Sequence, residues 1–267
     1  MDVAAYLDRI GFAGTARPDF DTLTALHRAH LKAIPFENID VQLKRPLGVG
    51  IEEAYDKIVR RRRGGWCFEM NGLMGWALRE LGFDVTRLTA SVMRESGDGP
   101  AGNHLCLNVW LAEPWLVDVG FGGSLHTPLQ LRRMERTDAP FRVALDETAN
   151  GGWRYTEQAH GDPFSFDFRD QPADEPLMAR TCQQLQTDPA SPFVRNLVVQ
   201  QRSSDTHFTL RGRVFEITTP ARRDKRLVNS ADELVAVLRE RFALDVPEAA
   251  SLWPAIEARH AALFPAG

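Results

Sequence analysis

Cys67 stands directly after a Gly64-Gly65-Trp66 segment, at the start of an apolar pattern with helical spacing. Two glycines permit a tight backbone approach just before a helix begins. A thiol in the first turn of a helix faces the positive end of the helix dipole, which favours the nucleophilic thiolate. This position indicates a nucleophile. The competing interpretation is a small buried apolar residue, which is the commonest role of a free cysteine.

Two more reactive side chains, His104 and Asp118, belong to one predicted hairpin. The segments HLCLNVWL (104–111) and PWLVDVGF (114–121) have the composition of strands and flank a short loop. If the loop has an odd number of residues centred on Ala112, Asp118 lies opposite Cys106 and diagonal to His104, about 7 to 8 Å across the hairpin. An even-numbered loop without a bulge places the two side chains on opposite faces.

Together these three residues have the types that acyl-transfer chemistry requires. A carboxylate in an apolar strand is costly unless it is paired, and histidine is a suitable partner. Taken singly, His104 also fits a satisfied core histidine, and Asp118 a cap of the turn that follows. With Cys67 they supply a nucleophile, a base and an orienting acid. Hydrolases and transglutaminases use the same set, and a binding protein that keeps the geometry without turnover stays an alternative. The spacing of Cys67, Cys106 and His104 is not that of a zinc site, so no metal is predicted.

The elements that position these residues are helices first and strands afterwards. Asp21 as N-cap predicts a helix over 22–34. A second helix begins at Ile51 and ends in the basic run Arg60–Arg63, which complements the negative end of its dipole. A third runs from Cys67 to Gly82. Period-two segments follow, and Ser230 with Glu233 forms a capping box before another helix. The predicted class is α+β. The segments with strand patterns are TRLTASVM, the two hairpin strands, GGWRYTEQ, FSFDF, LVVQQRS, HFTLRG and RVFEITT.

Composition narrows the partners of this chain of 267 residues. Its formal net charge of -4 argues against nucleic acid, because phosphate binding requires a clustered basic face. The sequence contains no apolar run of the about 20 residues that span a membrane and no signal pattern at its N-terminus. The odd number of cysteines, three, suits a reducing compartment. We therefore expect a cytoplasmic protein without nucleic-acid or membrane partners, and its oligomeric state, a homo-oligomer included, stays open.

Four segments carry a family resemblance. RGGWCFEMN (63–71), HLCLNV (104–109), WLVDVGFGG (115–123) and AIPFENIDV (33–41) resemble the arylamine N-acetyltransferases in order, spacing and flanking residues. By this resemblance Cys67 carries an acetyl group from acetyl-CoA, His104 takes a proton and Asp118 holds the imidazole. The implied reaction acetylates arylamines, hydrazines or arylhydroxylamines by a ping-pong scheme. An amide synthase remains an alternative in the neighbourhood of this family.

The resemblance also implies an architecture and binding residues. The fold would be a helical bundle (1–85) carrying the nucleophile, a β-barrel (86–190) carrying the histidine and the acid, and an α/β lid (191–267). The first two would be arranged as in papain-like cysteine proteases. The resemblance suggests that Phe36 and Phe121 line the acceptor pocket and the coenzyme cleft, where ordinary core packing is the alternative.

Two further expectations concern the surroundings of the nucleophile. Gly122 and Gly123 would admit the pantetheine arm of coenzyme A close to the backbone, or merely form a turn. Glu37 and Arg63 would pair to brace the loop before Cys67, as a structural contact and not a catalytic one.

Overall fold

The structure, a computed structural model, describes residues 1–92, 101–123, 125–161 and 163–264. Helices dominate as far as residue 80, strands occupy most of 84–168, and the remainder is mixed, so the fold class is α+β as predicted. The helices are α1 (Val3–Ile10), α2 (Phe20–Ala33), α3 (Ile39–Gln42), α4 (Ile51–Tyr55), α5 (Cys67–Glu80), α6 (Glu175–Thr187), α7 (Pro192–Arg195), α8 (Ala231–Phe242) and α9 (Trp253–Leu263). The strands are β1 (Phe36–Glu37), β2 (Asp84–Val92), β3 (His104–Trp110), β4 (Pro114–Val117), β5 (Leu129–Gln130), β6 (Met134–Asp138), β7 (Phe141–Glu147), β8 (Trp153–Gln158), β9 (Phe164–Phe168), β10 (Val198–Ser203), β11 (Thr206–Arg211), β12 (Val214–Thr218) and β13 (Arg223–Leu227).

Two of the predicted helix boundaries differ from those observed. Asp19, not Asp21, is the N-cap of α2, and its carboxylate accepts the backbone N–H of Thr22 at 2.8 Å. The helix predicted from Ile51 is α-helical only to Tyr55 and continues as a π-helical turn over Asp56–Arg60. The wider turn accompanies the burial of Lys57, which a continuous amphipathic pattern does not predict. The third helix ends as expected, before Gly82 at φ +88°.

The larger sheet has eight antiparallel strands and curls on itself. Its strand order is β5-β4-β3-β2-β9-β8-β7-β6. The two edges approach each other, because Arg136 on β6 donates to the backbone carbonyl of Thr127, just before β5, at 2.8 Å. A cluster of buried aliphatic and aromatic side chains fills the concave side, with Leu145, Tyr155 and Phe166 all fully buried. This curl turns the open end of the β3–β4 hairpin, opposite its loop, toward the start of α5. Helix α5 packs against β2 and β3.

The smaller sheet joins a strand near residue 36 to strands of the C-terminal third of the chain. Its order is β1-β10-β11-β12-β13, so the two-residue strand that follows α2 pairs with a strand far along the sequence, with Phe36 opposite Gln200. One face of this sheet packs on α8 through Leu210, Phe215 and their neighbours. The other face looks onto the cavity that contains Cys67. Ser230 caps α8 as predicted, since its Oγ accepts the backbone N–H of Glu233 at 3.1 Å, but the capping box is incomplete, because the Glu233 carboxylate accepts the backbone N–H of Asn229 at 2.8 Å and not that of Ser230.

Candidate active site

Cys67 is the first residue of α5, and the glycines before it allow its placement. Gly64 and Gly65 run against the segment that leads into β1, where Gly65 N donates to the carbonyl of Pro35 and Gly65 O accepts from Glu37 N at 2.9 Å. A Cβ on Gly64 would lie 2.2 Å from the Pro35 carbonyl oxygen. Only a residue without a side chain fits there. Cys67 itself is 3% exposed and opens onto the cavity.

A buried ion cluster braces the loop before Cys67. The predicted pair is present, with Arg63 Nη2 2.8 Å from Glu37 Oε1. The cluster is larger than predicted, because Lys57 lies 2.9 Å from Glu69 Oε2 and 3.2 Å from Asp40 Oδ2. Burial favours the neutral amine of Lys57, but the three carboxylates outweigh it and raise its pKa. Removal of one partner would leave a buried charge uncompensated, so the cluster fixes the loop as a unit.

The β3–β4 hairpin has the odd-numbered loop that the sequence left open. Trp110 pairs with Pro114 and Asn108 with Leu116, so three residues centred on Ala112 form the loop. Continued one step beyond β4, this register places Asp118 opposite Cys106 and diagonal to His104. The two side chains meet, with His104 Nε2 2.6 Å from Asp118 Oδ2. The bond occupies Nε2, which leaves Nδ1 as the ring nitrogen for Cys67, whose side chain also contributes to the raised pKa of the ring.

Asn71 holds Asp118 in place, and it was not among the residues predicted from the sequence. It lies one helical turn after Cys67 on α5 and is fully buried. Its Nδ2 donates to Asp118 Oδ1 at 2.8 Å and to the carbonyl of Leu105 at 2.6 Å, while its Oδ1 accepts the backbone N–H of Val119 at 2.9 Å. The i, i+4 spacing from Cys67, which places both residues on one helix face, was the available signal.

The electrostatics of the site favour a charged histidine. Burial alone would lower the pKa of His104, but the charge and hydrogen bond of Asp118, with a smaller contribution from Cys67, raise it to about 10. The imidazolium therefore persists through neutral pH beside Cys67. The other two thiols lie in unfavourable surroundings, because burial raises the pKa of Cys106 well above its usual value and that of Cys182 to about 12.

A cavity of about 1200 Å³ opens from these residues between the two sheets. Phe36, Phe121 and Gly122 line it. Gly123 instead lies against Arg202, where an added Cβ would be 3.1 Å from the Arg202 Cβ. Two features of this cavity were not predicted from the sequence. Its aromatic wall includes Phe164, stacked on Phe121 with ring centroids 4.9 Å apart, and His207 Nε2 lies 2.6 Å from the Gly122 carbonyl oxygen.

Metal ligands and membrane-spanning helices would each point to a different kind of function. Within residues 1–92, 101–123, 125–161 and 163–264, no three His, Cys, Asp or Glu side chains come together as ligands for a metal ion. No helix in the same ranges has both the length and the apolar character needed to cross a bilayer.

A cysteine at a helix start beside a histidine that is paired with a buried aspartate is an arrangement typical of thiol enzymes. Comparisons with known proteins identify the family of the chain. The family model for N-acetyltransferase matches residues 19–251. The arylamine N-acetyltransferase of Mycolicibacterium smegmatis is 34% identical over 94% of this chain and 94% of its own length. The chain belongs to the arylamine N-acetyltransferase family, a family of acyltransferases.

Solved structures show the same relationship. The arylamine N-acetyltransferase of Mycobacterium marinum superimposes with a TM-score of 0.88 at 31% identity, covering 96% of this chain and 99% of that one. Its complex with CoA superimposes with a TM-score of 0.86 at 32% identity, covering 97% and 98%. The resemblance expected from the four sequence segments is thereby confirmed, and it extends over most of the chain.

Proposed function

We propose that the protein transfers an acetyl group from acetyl-CoA to aromatic amines, hydrazines or arylhydroxylamines through an acetylated Cys67. One observation carries the proposal: His104, paired with the buried Asp118, lies beside Cys67 at the wall of a cavity large enough for two substrates. Family membership and the CoA complex of the Mycobacterium marinum relative support acetyl-CoA as donor.

The proposed chemistry has two half-reactions. The Cys67 thiolate attacks the thioester carbonyl, and the tetrahedral intermediate expels the CoA thiolate, which takes a proton from the His104 imidazolium. This leaves an acetyl-enzyme and a neutral imidazole. A neutral amine then attacks the acetyl carbonyl, and His104 takes its proton as the Cys67 thiolate departs. The proton inventory is balanced after each cycle, and the scheme is ping-pong.

Asp118 has a positioning role in this scheme. By accepting a hydrogen bond at Nε2 it fixes the ring so that Nδ1 faces the sulfur, and its charge compensates the imidazolium. For the oxyanion, the backbone N–H of Cys67 in the first turn of α5 is the donor that we propose. Phe121 and Phe36 would contact the acceptor and the coenzyme, and Gly122 would let the pantetheine arm approach the backbone.

Arylamines suit this mechanism because of their weak basicity. Their nitrogen is neutral near pH 7, whereas an alkylamine is mostly protonated and has no lone pair for attack. The stacked pair of Phe121 and Phe164 offers an apolar surface beside His104, whose ring centroid is 5.2 Å from that of Phe121. Aromatic side chains bind aromatic rings by offset or edge contacts of this kind.

For the architecture we propose the finer description that the resemblance implies. A helical bundle over 1–85 and a curled sheet over 86–190 would meet at the site as in papain-like cysteine proteases. Residues 191–267 would act as a lid, which the position of β10–β13 and α9 along the cavity supports. We also propose a cytoplasmic location, since all three cysteines are buried as free thiols.

The test is acetyl transfer by single cysteine variants. Cys67→Ala should form no acetyl-enzyme by mass spectrometry, whereas Cys106→Ala and Cys182→Ala should keep most of their transfer. Free thiol release from acetyl-CoA, measured with and without an arylamine, separates transfer from hydrolysis. Acetylation that persists in the Cys67 variant would overturn the mechanism, and thiol release indifferent to the amine would identify a hydrolase.

A further inference from the structure

The cavity that holds Cys67 has a positively charged end on the smaller sheet. The side chains of β11 alternate, so that His207, Thr209 and Arg211 face the cavity while Phe208 and Leu210 face α8. Arg195, at the end of α7, and Arg259, on α9, line the cavity as well. In a protein of formal net charge -4, this concentration of arginine is a local feature and not a general property of the surface.

Three of these cavity-lining arginines, Arg195, Arg211 and Arg259, are brought together by hydrogen bonds that they or their neighbours in sequence make. Arg259 Nε donates to Asn196 Oδ1 at 2.8 Å, which links α9 to the residue after Arg195. Gly212 N donates to the carbonyl of Leu197 at 2.8 Å, which links the residue after Arg211 to the same segment. Arg195, Arg211 and Arg259 therefore flank one short stretch of chain, and we call them the arginine cluster.

The donors of the arginine cluster are available. The exposed guanidinium groups of Arg195 and Arg211 make no hydrogen bond or ion pair to any described residue. Arg259 uses only Nε in its contacts with the described part of the chain, so both of its Nη groups are left. The cations of the neighbouring strand β13 differ, because Arg223 and Lys225 lie 2.7 and 3.3 Å from Glu216.

The distance from the arginine cluster to Cys67 suits an acyl donor with a long, extended chain. The Gln200 side chain lies against Gly122, beside the catalytic residues. From Gln200 the chain runs through β10 to Asn196 along the cavity wall, a span of about 13 Å for extended backbone. An acyl donor that reaches Cys67 at one end would thus place a group of opposite charge among the arginines at the other.

We infer that the arginine cluster binds the phosphate groups of coenzyme A and selects donors that carry the 3′-phosphorylated nucleotide. The inference rests on the proposed function and adds the residues that recognise the donor. Guanidinium groups bind phosphate oxygens in pairs of parallel hydrogen bonds, which gives both affinity and orientation. The pantetheine arm lies along β10, and the nucleotide is held by α7, β11 and α9.

The test compares three acetyl donors: acetyl-CoA, acetyl 3′-dephospho-CoA and p-nitrophenyl acetate, which lacks the coenzyme. The variants are Arg195→Gln, Arg211→Gln and Arg259→Gln, singly and combined. The matched control is Arg241→Gln, on α8, where the guanidinium lies over Phe208 on the other side of the sheet. The readout is the ratio of kcat/KM for acetyl-CoA to kcat/KM for p-nitrophenyl acetate, which corrects for a general loss of active protein.

The ratio should fall about tenfold in each cluster variant, the equivalent of about 1.4 kcal/mol of lost binding energy. It should fall further in the triple variant and stay constant in the control. In the wild-type protein, acetyl 3′-dephospho-CoA should be the poorer coenzyme donor, and this preference should disappear in the triple variant. Adenosine 3′,5′-bisphosphate should compete with acetyl-CoA, and salt should weaken that competition.

Two results would overturn the inference in different ways. If the triple variant keeps the wild-type ratio and the wild-type preference for the 3′-phosphate, the arginine cluster does not bind the donor, although the proposed function stands. If the wild-type protein is acetylated by p-nitrophenyl acetate but not by acetyl-CoA, the proposed function fails and the inference fails with it.

Discussion

Asn71 donates a hydrogen bond of 2.8 Å to Asp118 Oδ1, the carboxylate oxygen that does not face His104. Asp118 is thus held from both sides, since its Oδ2 lies 2.6 Å from the imidazole and its Oδ1 also accepts the backbone N–H of Gly120. Because Asn71 and Cys67 belong to the same helix, the element that carries the proposed nucleophile also orients Asp118.

Asn71→Ala should therefore weaken both stability and catalysis. The substitution leaves the carbonyl of Leu105 and the N–H of Val119 without their side-chain partner, at about 1 to 3 kcal/mol for each buried group left unpaired. Urea unfolding should show the loss, and kcat should fall with it because Asp118 Oδ1 keeps only one of its two donors, the backbone N–H of Gly120. The exposed Asn229→Ala is the control and should change stability by less than about 0.5 kcal/mol. Equal effects of the two substitutions would contradict the assignment.

Asp118→Asn should lower the rate of acetyl transfer by about 10³- to 10⁴-fold. An amide can keep its oxygen toward Asn71 and Gly120, but its NH2 group then faces His104 Nε2 and imposes the wrong tautomer. The His104 pKa, followed by NMR, should drop from about 10 to below its usual 6.5, because burial is then no longer opposed by the aspartate. A folded variant with near-normal transfer would reduce the site to a dyad of Cys67 and His104.

The free energy of unfolding should decrease as pH rises from about 6.5 to about 10. A histidine whose folded pKa is above its unfolded value stabilises the protein fully below the unfolded pKa, and this contribution is lost as pH rises through the folded pKa. For His104 these limits are 6.5 and about 10. Urea unfolding should show a loss of up to about 1.4 kcal/mol per pH unit in this window. Asp118→Asn should flatten the profile, and a slope equal to that of the wild type would show that the His104–Asp118 pair does not cause the pH dependence.

Thiol alkylation at pH 7 should modify Cys67 first. Burial raises the pKa of Cys106 and Cys182 and keeps both as protonated, inaccessible thiols, whereas Cys67 lines the cavity. Peptide mapping after iodoacetamide treatment measures the selectivity, and the unfolded protein, in which all three thiols react, is the control. Labelling of Cys106 or Cys182 at the rate of Cys67 would show that the cavity does not single out the nucleophile.

Gly120→Ala should abolish activity by steric overlap. A Cβ at this position would lie 2.7 Å from Cys67 Cα and 2.7 Å from Asn71 Nδ2, distances at which the helix or the loop must move. Overpacking of this kind costs about 1 to 3 kcal/mol, visible as a lower melting temperature. Gly48→Ala is the matched control, because among the described residues, its chain neighbours apart, Gly50 N at 3.7 Å is the one atom within 4 Å of its added Cβ. Full activity of the Gly120 variant would mean that the approach is looser than observed.

The hairpin that carries His104 and Asp118 could be predicted from sequence, because strand alternation and a short loop are local properties. The register that brings Asp118 to His104 depends only on the length of the loop, and the observed loop is centred on Ala112 as expected. Asn71 was missed because the role of a polar residue on a buried helix face cannot be assigned until its hydrogen-bond partners are known. The sequence predicted Asp21 as the N-cap of α2, whereas the structure has Asp19. Two aspartates two residues apart have the same capping propensity, so local preference could not decide between them.

The long-range features could not be predicted from local patterns. The pairing of Phe36 with Gln200 joins segments that share no periodicity, and only tertiary packing selects it. The arginine cluster is equally invisible in sequence, because Arg195, Arg211 and Arg259 belong to three separate elements. Their proximity follows from hydrogen bonds of Asn196 and Gly212 that join these elements.

The pairing of β1 with β10 also fixes when the cavity is completed during synthesis of the chain. The helices that carry Cys67 and the curled sheet that carries His104 leave the ribosome first, and N-terminal units fold first. The cavity wall that faces them is built from strands translated much later. A nascent chain therefore carries Cys67 without the facing cavity wall until β10 emerges and pairs with Phe36, so the two sides of the cavity meet only after the helices and the curled sheet have been made.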